Sequence, residues 1–286
     1  MINKINPYNV FIKWPRLIWR KFWLILILGV LKNVYFGKKG FHVLTDDYGI
    51  RFRYYIWCNS SLNKILSRSI YAEEFRIYQQ LIGSQDIVFD VGSNVGIHTI
   101  FLSRVVKKGR LYSFEPVPQT YQVLLNTIEL NRVKNIKTFN VAISDKNGHT
   151  MINDFGVERS AWSSIGSSDY EGRPAEQQVL VDTIMLDGFC EQHRISTVNY
   201  IKIDVEGHEL EVLKGARGLL SEKKIDILQF EISPEQIKHE LEKESEIFLF
   251  LRLYGYKIYE WQKVKFVEVK GPQQKHQNYY ASYKSL

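Results

Sequence analysis

A short apolar run at residues 87–91 contains Asp90 near its end and leads into a turn that carries Gly92, Asn94 and Gly96. Glycines let a backbone approach a ligand closely, and a carboxylate at a strand end suits a cationic group of a cofactor. The spacing Gly-x-x-x-Gly differs from the Gly-x-Gly-x-x-Gly of dinucleotide enzymes, and no Gly-Lys-Ser/Thr phosphate loop is present. The turn therefore predicts a cofactor other than a nicotinamide dinucleotide.

Two further positions follow the next strands along the chain. Glu115 ends the run 110–115, 25 positions after Asp90, where an acid is placed to accept both ribose hydroxyls of a bound nucleoside. Ala142 follows the third run, at an edge that lines the base in nucleoside-binding sheets. Together with the glycine turn, these two positions predict a cofactor that contains a nucleoside.

The segment 201–216 holds the densest group of titratable residues. Asp204 ends an otherwise apolar strand, and Glu206 and His208 follow at a helix entrance. Because titratable groups clustered where a ligand binds indicate catalysis, Asp204 and Glu206 are the candidate general bases and His208 the next. A helix dipole also stabilises acids there, which leaves a structural role open. Glu231, at the next strand end, could bridge a divalent metal with Asp204, but two carboxylates do not establish a site, so no metal ligand is predicted.

From residue 84 onward, short apolar runs alternate with amphipathic stretches. Strands are predicted at 87–91, 110–115, 136–141, 200–205, 225–232, 256–261 and about 277–284. Helices are predicted near 96–107, 117–131, 183–193, 207–220 and 234–252. The alternation predicts an α/β fold, in which a mainly parallel sheet is covered by helices on both faces and binds ligands beyond the carboxyl ends of its strands.

Two regions outside this pattern complete the body of the chain. Residues 41–57 predict a β-hairpin, and residues 69–82 have the spacing of a helix. The stretch 154–178 has little periodicity, as functional or disordered loops do. Its Trp162 and Tyr170 would suit stacking on a sugar ring or simple anchoring of a surface loop, and both interpretations stay open.

Charge is distributed unevenly along the 286 residues. The 38 basic and 31 acidic residues give a net charge of +7, yet residues 1–40 hold eight basic residues and no acid. The rest of the chain is therefore close to neutral, which argues against a nucleic-acid-binding face spread over the fold. Two cysteines cannot build a disulfide framework, so a reducing, cytoplasmic compartment is expected.

The N-terminal segment contains an apolar run at residues 22–31. As a helix, ten residues span ~15 Å, against roughly 30 Å of bilayer hydrocarbon, and no small-residue cleavage site follows. Two interpretations remain: peripheral contact of residues 14–36 with the inner membrane face, or a helix packed on the body. The expected organisation is a basic hydrophobic segment, 1–40, a hairpin and helix, 41–83, and the main domain, 84–286.

In these motifs, the sequence resembles the FkbM family of S-adenosylmethionine-dependent methyltransferases. The resemblance covers about 85–232, and its most specific block is 201–216. The residues that carry it are Phe89-Asp90-Val91-Gly92-Ser93-Asn94-Val95-Gly96, Phe114-Glu115-Pro116, Val141-Ala142-Ile143-Ser144-Asp145, Leu186-Asp187 and Ile201 through Ala216.

The resemblance implies a Rossmann-like class I methyltransferase fold, with a seven-stranded sheet whose last strand is antiparallel, here preceded by an N-terminal extension. It also implies roles for the cofactor residues. Asp90, Gly92, Asn94 and Gly96 would hold the methionine part of S-adenosylmethionine. Glu115 would hold its ribose, and Ala142 would border the adenine.

The expected function is O-methylation of a sugar hydroxyl in a glycan, a glycolipid or a secondary metabolite. Because such a hydroxyl is a poor nucleophile, a positioned base should help. A nucleic-acid methyltransferase is the first alternative, disfavoured because Asp204-Val205-Glu206-Gly207 stands where Asp/Asn-Pro-Pro is common. A non-enzymatic membrane-surface protein with a degenerate methyltransferase fold is the second. The expected partner is a small-molecule or glycan acceptor, not a nucleic acid.

Overall fold

The computed structural model describes residues 42–45, 49–54, 71–157, 160, 163, 165, 169–170, 173–232, 245–272 and 277–286. Its strands are β1 (His42–Thr45), β2 (Arg51–Tyr54), β3 (Ile87–Val91), β4 (Arg110–Phe114), β5 (Ile136–Phe139), β6 (Ala142–Ile143), β7 (Gly148–Asp154), β8 (Asp169–Tyr170), β9 (Arg173–Pro174), β10 (Gln177–Ile184), β11 (Val198–Ile203), β12 (Ile225–Ile232), β13 (Lys257–Gln262), β14 (Lys265–Glu268) and β15 (Gln277–Ser282). Its helices are α1 (Ala72–Leu81), α2 (Ile97–Val105), α3 (Pro118–Asn131), α4 (Leu186–His193), α5 (Glu209–Lys214), α6 (Arg217–Ser221) and α7 (Glu246–Leu253).

The central sheet has the order β5-β4-β3-β11-β12-β15-β13-β14. Strands β5, β4, β3, β11 and β12 are parallel, and β15 runs antiparallel to both β12 and β13. The mainly parallel sheet with an antiparallel last strand is therefore confirmed. The expected count of seven strands was one short, because β14 forms a hairpin with β13 and extends the edge.

Alternate residues of each central strand pack into different cores, as the two-residue period of a strand requires. Val88 of β3 packs with Phe75 of α1 and Ile100 of α2 on one face. Phe89 packs with Phe189 of α4 and with α5, α6 and α7 on the other. The helices expected on both faces are thus present.

The hairpin and helix that precede the sheet pack against it. β1 and β2 pair antiparallel, as expected for 41–57, and their turn at 46–48 lies outside the described residues. Asn131 accepts from the backbone N–H of Arg51 at 2.9 Å and donates to its carbonyl at 2.6 Å. Ile50 is fully buried in the same core as Phe75, so this region shares a core with the main sheet.

Three features differ from the sequence expectations. Residues 177–184 form β10, which pairs with β6 and β7 in a second sheet, although 177–178 were expected in the loop and 183–184 in a helix. The helix expected at 207–220 is divided at Gly215, where a Cβ would lie 2.0 Å from the Ser144 carbonyl oxygen. Of the helix expected at 234–252, residues 246–253 are described as α7 and 233–244 lie outside the described residues.

The expected membrane-contacting segment, 14–36, lies outside the described residues as well. Within the ranges that are described, no helix combines the length and the apolar character needed to cross a membrane.

Candidate functional site

A cavity of about 440 Å³ opens at the carboxyl edge of the central sheet. Such edges bind ligands in open α/β sheets because several strands end there and direct their following loops to one place. The residues that line it include Tyr71, Glu74, Gly92, Asn94, Gly96, His98, Glu115, Val117, Ala142, Ile152, Ser160, Ile165, Lys202, Asp204, Glu206, His208, Glu231 and Asn278. The cavity thus brings together every residue expected at the site except Asp90.

The glycine turn forms one wall of this cavity. Gly92 has φ +83° and lies so close to the loop after β11 that a Cβ would stand 1.8 Å from the Asp204 carbonyl oxygen. The Gly92 N–H donates to the Phe114 carbonyl at 3.0 Å, which ties the turn to the end of β4. Asn94 also has a positive φ, 51°, and its side-chain oxygen accepts from the Ser160 hydroxyl. The backbone wall is therefore held from both neighbouring strands.

Asp90 lies beneath this turn and is fully buried. Its Oδ2 accepts from the Thr99 hydroxyl at 2.6 Å, whereas Oδ1 has no hydrogen-bond partner among the described residues. Burial raises the pKa of Asp90, while the charge of Lys202, its neighbour on β11, acts in the opposite direction. A buried carboxylate oxygen without a partner attracts a donor or a cation placed above the turn.

Glu115 closes the cavity at the end of β4. Its Oε2 accepts from the Asn94 N–H at 2.9 Å and its Oε1 from the Val117 N–H at 3.0 Å. Burial raises the pKa of Glu115 to about 7, although both backbone donors favour the anion. Each carboxylate oxygen keeps acceptor capacity beyond its one amide, as a group that receives two hydroxyls needs.

An apolar slot, formed by Val117, Ala142, Ile152 and Ile165, lies beside Glu115. Ile152 comes from β7 of the second sheet. The sequence analysis assigned no strand to residues 142–154, so it missed both this sheet and the contribution of Ile152 to the slot. A slot without charged groups suits the flat face of a nucleobase, because little free energy of hydration is lost when that face leaves water.

The loop after β11 forms the opposite wall. Asp204 Oδ2 is 2.6 Å from the Lys202 ammonium, which is 4% exposed. Glu206 has φ 53°, a conformation that costs a non-glycine residue free energy. Glu209 Oε1 accepts from the N–H groups of Val205 and Gly207, both at 3.2 Å, and holds the loop in this conformation.

His208 lies in the same wall and contacts Ser144, which follows β6. Its Nε2 is 3.1 Å from the Ser144 hydroxyl and its Nδ1 is 3.5 Å from Glu211 Oε2. Burial lowers the pKa of His208, and Glu211 and Asp145 counteract that shift. Both ring nitrogens therefore have protein partners.

Comparison with known proteins decides the family. Residues 90–258, more than half of the chain, match the Methyltransferase FkbM domain. The chain belongs to the FkbM methyltransferase family. Its fold is accordingly the class I methyltransferase fold that the sheet order displays, and its cofactor is S-adenosylmethionine.

Individual relatives are more distant. Hexuronic acid methyltransferase AglP of Haloferax volcanii is 31% identical over 135 residues, which are 47% of this chain and 52% of that protein. The 2-O-methyltransferase NoeI of Sinorhizobium fredii is 26% identical over 161 residues, 51% of this chain and 65% of that protein. The matches thus span about half to two thirds of these relatives. An FkbM methyltransferase structure from Methylobacillus flagellatus has a TM-score of 0.46 and 19% identity, over 71% of this chain and 47% of that one.

The described site fits the cofactor of the family. The Oδ1 atom of Asp90 lies beneath a backbone turn, Glu115 offers acceptor capacity, and Ala142 lies in an apolar slot of the same cavity. These are the environments that an ammonium, a ribose and an adenine require.

The far end of the cavity was missed in the sequence. It is lined by Tyr71, Glu74, His98, Lys202 and Asn278, beside Glu231. Lys202 was visible as a cation inside an otherwise apolar strand. Glu74 and Asn278 belong to no recognised sequence motif. They lie on α1 and β15, and both elements are outside the matched range 90–258.

Metal binding receives no support from the side chains that are described. No group of three or more His, Cys, Asp or Glu residues among them is arranged to hold an ion. The bridge between Asp204 and Glu231 considered from the sequence meets a further obstacle, because the Lys202 ammonium already contacts Asp204.

Proposed function

We propose that this FkbM protein is an S-adenosylmethionine-dependent O-methyltransferase whose acceptor is a sugar hydroxyl in a glycan, a glycolipid or a secondary metabolite. The observation that carries the proposal is the division of one cavity into two parts. One part has the glycine turn, Glu115 and the apolar slot, and the other is lined by polar side chains. A cofactor and a hydroxylated acceptor can therefore meet in one cavity.

In this proposal the cofactor half acts as the sequence motifs imply. Asp90, through the turn of Gly92, Asn94 and Gly96, supports the methionine part. Glu115 accepts the ribose hydroxyls, and Ala142 borders the adenine. The bound cofactor supplies a methyl group on a sulfonium, already activated for transfer.

The wall formed by the loop after β11 lies on the acceptor side. Asp204 and Glu206 contact the acceptor hydroxyls, and His208 contributes to the same wall. The Lys202 ammonium contacts Asp204 Oδ2 at 2.6 Å, and the carboxylate accepts hydrogen bonds from the acceptor hydroxyls. The strained backbone at Glu206 is a common property of active-site residues.

A sugar acceptor is also supported by the relatives. Two of them are named for the methylation of a sugar acid and of an oxygen: hexuronic acid methyltransferase and 2-O-methyltransferase. A nucleic-acid acceptor has no comparable support, since the chain outside residues 1–40 is close to neutral.

Two experiments test the function. Calorimetric titration with S-adenosylmethionine and S-adenosylhomocysteine should show saturable binding that is lost in Glu115→Ala. Transfer of labelled methyl from S-adenosylmethionine to a panel of methyl hexopyranosides should then exceed transfer to RNA and DNA fragments. Folded protein that binds neither S-adenosylmethionine nor S-adenosylhomocysteine would instead support a non-enzymatic protein with a degenerate methyltransferase fold. Methyl transfer to nucleic acid alone would support a nucleic-acid methyltransferase.

We also propose that residues 14–36 contact the inner membrane face from the cytoplasm. The support is the sequence alone: an apolar run at 22–31 is flanked by Arg20, Lys21 and Lys32. Cations beside an apolar segment favour anionic lipid surfaces. The full chain should float with vesicles that contain phosphatidylglycerol and not with phosphatidylcholine vesicles, and Arg20→Glu with Lys21→Glu should abolish flotation. Equal behaviour of the variant would contradict the proposal.

A further inference from the structure

The far end of the cavity is built by elements that frame the methyltransferase core. Helix α1 contributes Glu74 and is directly preceded by Tyr71, helix α2 contributes His98, and β15 contributes Asn278. These residues lie across the cavity from the apolar slot. This placement puts a carboxylate at the end where the acceptor enters under the proposed function.

Glu74 has polar partners at both carboxylate oxygens. Its Oε1 accepts from the Asn278 side-chain amide and is 3.5 Å from the Gln229 amide nitrogen. Its Oε2 is 3.6 Å from His98 Nε2. The His98 ring is itself fixed, since its Nδ1 is 2.9 Å from the Tyr78 hydroxyl and Tyr71 packs edge-on against it at 5.0 Å. The carboxylate is therefore oriented by three side chains but remains on the cavity surface.

The charge balance around Glu74 favours uptake of a proton. Burial raises the pKa of Glu74 to about 7; Asp204 and Glu231 act in the same direction, and Lys202 and the Asn278 amide oppose them. The titratable groups that face it come from every packed element: Tyr71, Tyr78, His98, Tyr200, Lys202, Asp204, Glu231 and Tyr280. A base is most effective when its pKa lies near the operating pH.

Asp204, expected from the sequence to be a general base, has the opposite environment. Its Oδ2 contacts the Lys202 ammonium at 2.6 Å, and the pKa of Lys202 is raised because Asp204, Asp90 and Glu74 together outweigh the effect of burial. A permanently charged neighbour stabilises the carboxylate and competes with a proton for the same oxygen. Asp204 is thus suited to accept a hydrogen bond, not to carry the proton away.

We propose that Glu74 is the catalytic base of the methyl transfer and that His98 and Asn278 are its positioning residues; the proposal rests on the function proposed above. The acceptor oxygen forms its bond to the methyl carbon while the carbon–sulfur bond breaks and its electron pair returns to sulfur. The O–H bond of the acceptor breaks, its electron pair stays on oxygen, and the proton passes to the Glu74 carboxylate. Charge balances, because the sulfonium and the carboxylate are both neutralised.

The decisive experiment compares Glu74→Gln with wild type, using S-adenosylmethionine and methyl hexopyranosides from about pH 5 to about pH 9. Wild-type kcat should rise with pH through the Glu74 pKa of about 7. In Glu74→Gln, kcat should fall about 100-fold or more and lose this pH dependence, while KM and S-adenosylhomocysteine affinity stay within about threefold. The control Glu129→Gln, on the exposed surface of α3, should match wild type in all four quantities.

A second readout needs no acceptor. Because the folded-state pKa of Glu74 lies above the ordinary value of 4.5, the native state binds the proton more tightly than the unfolded state between these two pKa values. Wild-type stability therefore falls as pH rises through that window. The melting temperature of Glu74→Gln relative to wild type should rise over the same window, and a constant difference would overturn the proposal.

The positioning residue Asn278 gives a matched test. Asn278→Ala removes a donor to the anion, so the rising limb of kcat should move to higher pH with S-adenosylhomocysteine affinity unchanged. A Glu206→Gln variant that loses the limb while Glu74→Gln keeps it would overturn the assignment to Glu74. Wild-type protein that binds no cofactor would contradict the proposed function instead, and the melting temperatures would still report on Glu74.

Discussion

The cavity has two ends that are built in different ways. The end proposed to bind the cofactor is formed by backbone and by short motifs: the turn at 92–96, Glu115 after β4, and Ala142 in an apolar slot. The acceptor end is formed by side chains from α1, α2, β11, β12 and β15, which are far apart in sequence. The first end needs close backbone approach and one acid. The second needs several oriented side chains around a buried carboxyl.

Under the proposed function, the first end holds the cofactor and the second receives the acceptor. A backbone cradle depends on a few adjacent residues that any member of a family can retain as a block. An acceptor end assembled from separate elements can change one side chain at a time. We therefore expect the two ends to respond differently to substitution.

The largest effect is expected from Lys202→Met at the acceptor end. This substitution leaves Asp204, Asp90 and Glu74 without the cation that faces them, and removing one partner of a buried ion pair costs about 3–5 kcal/mol. The free energy of unfolding, measured with urea at neutral pH, should fall accordingly. Lys146→Met, on an exposed loop, is the control and should change it by less than about 0.5 kcal/mol. Equal stability of both variants would mean that the cluster is solvated.

At the cofactor end, Gly92→Ala should cost about 2–3 kcal/mol, because a Cβ meets the Asp204 carbonyl oxygen at 1.8 Å and φ is +83°. Gly188→Ala is a matched control in α4, since nothing lies within 4 Å of its Cβ. It should be stabilising by about 0.5–1 kcal/mol through helix propensity. Thermal unfolding of both variants measures the contrast, and a stable Gly92→Ala protein would refute the close approach of the turn to the loop after β11.

Glu115→Gln should reduce affinity for S-adenosylhomocysteine about tenfold, as expected for loss of hydrogen bonds to a charged acceptor. Because burial raises the Glu115 pKa to about 7, wild-type affinity should increase as pH rises through neutrality, when the carboxylate forms. Calorimetry at several pH values should show this slope in wild type and its absence in the variant. A slope that persists in Glu115→Gln would assign the titration to another group.

The smallest effect is expected for Glu206→Gln, which should spare cofactor binding and lower kcat by about three- to tenfold through weaker electrostatic contact with the acceptor. Steady-state kinetics beside the exposed control Glu191→Gln would measure it. A decrease as large as that of Glu74→Gln would show that both carboxylates share the proton. Unchanged kcat would remove Glu206 from the acceptor side.

Much of the fold could be predicted because its signals are local. The strands at 87–91 and 225–232 were predicted with their observed bounds, since both are short, mainly apolar stretches that alternate with amphipathic ones. Strand β10 was missed because residues 177–184 are a mixture of polar and apolar side chains. In addition, its pairing partners, β6 and β7, come from distant positions in the sequence. Likewise, the division of 207–220 depends on contact between Gly215 and Ser144, which no local pattern reveals.

The sequence by itself determined the glycine turn, the acid after β4 and the acidic loop after β11, because each depends on neighbouring residues and on the common edge where parallel strands end. Tertiary structure alone decided the electrostatic surroundings of each carboxylate. Lys202 stands beside Asp204, whereas Glu74 is enclosed by α1, β12 and β15 with two further acids nearby. Burial and neighbouring charge set the pKa of a side chain, and both arise when distant segments pack together.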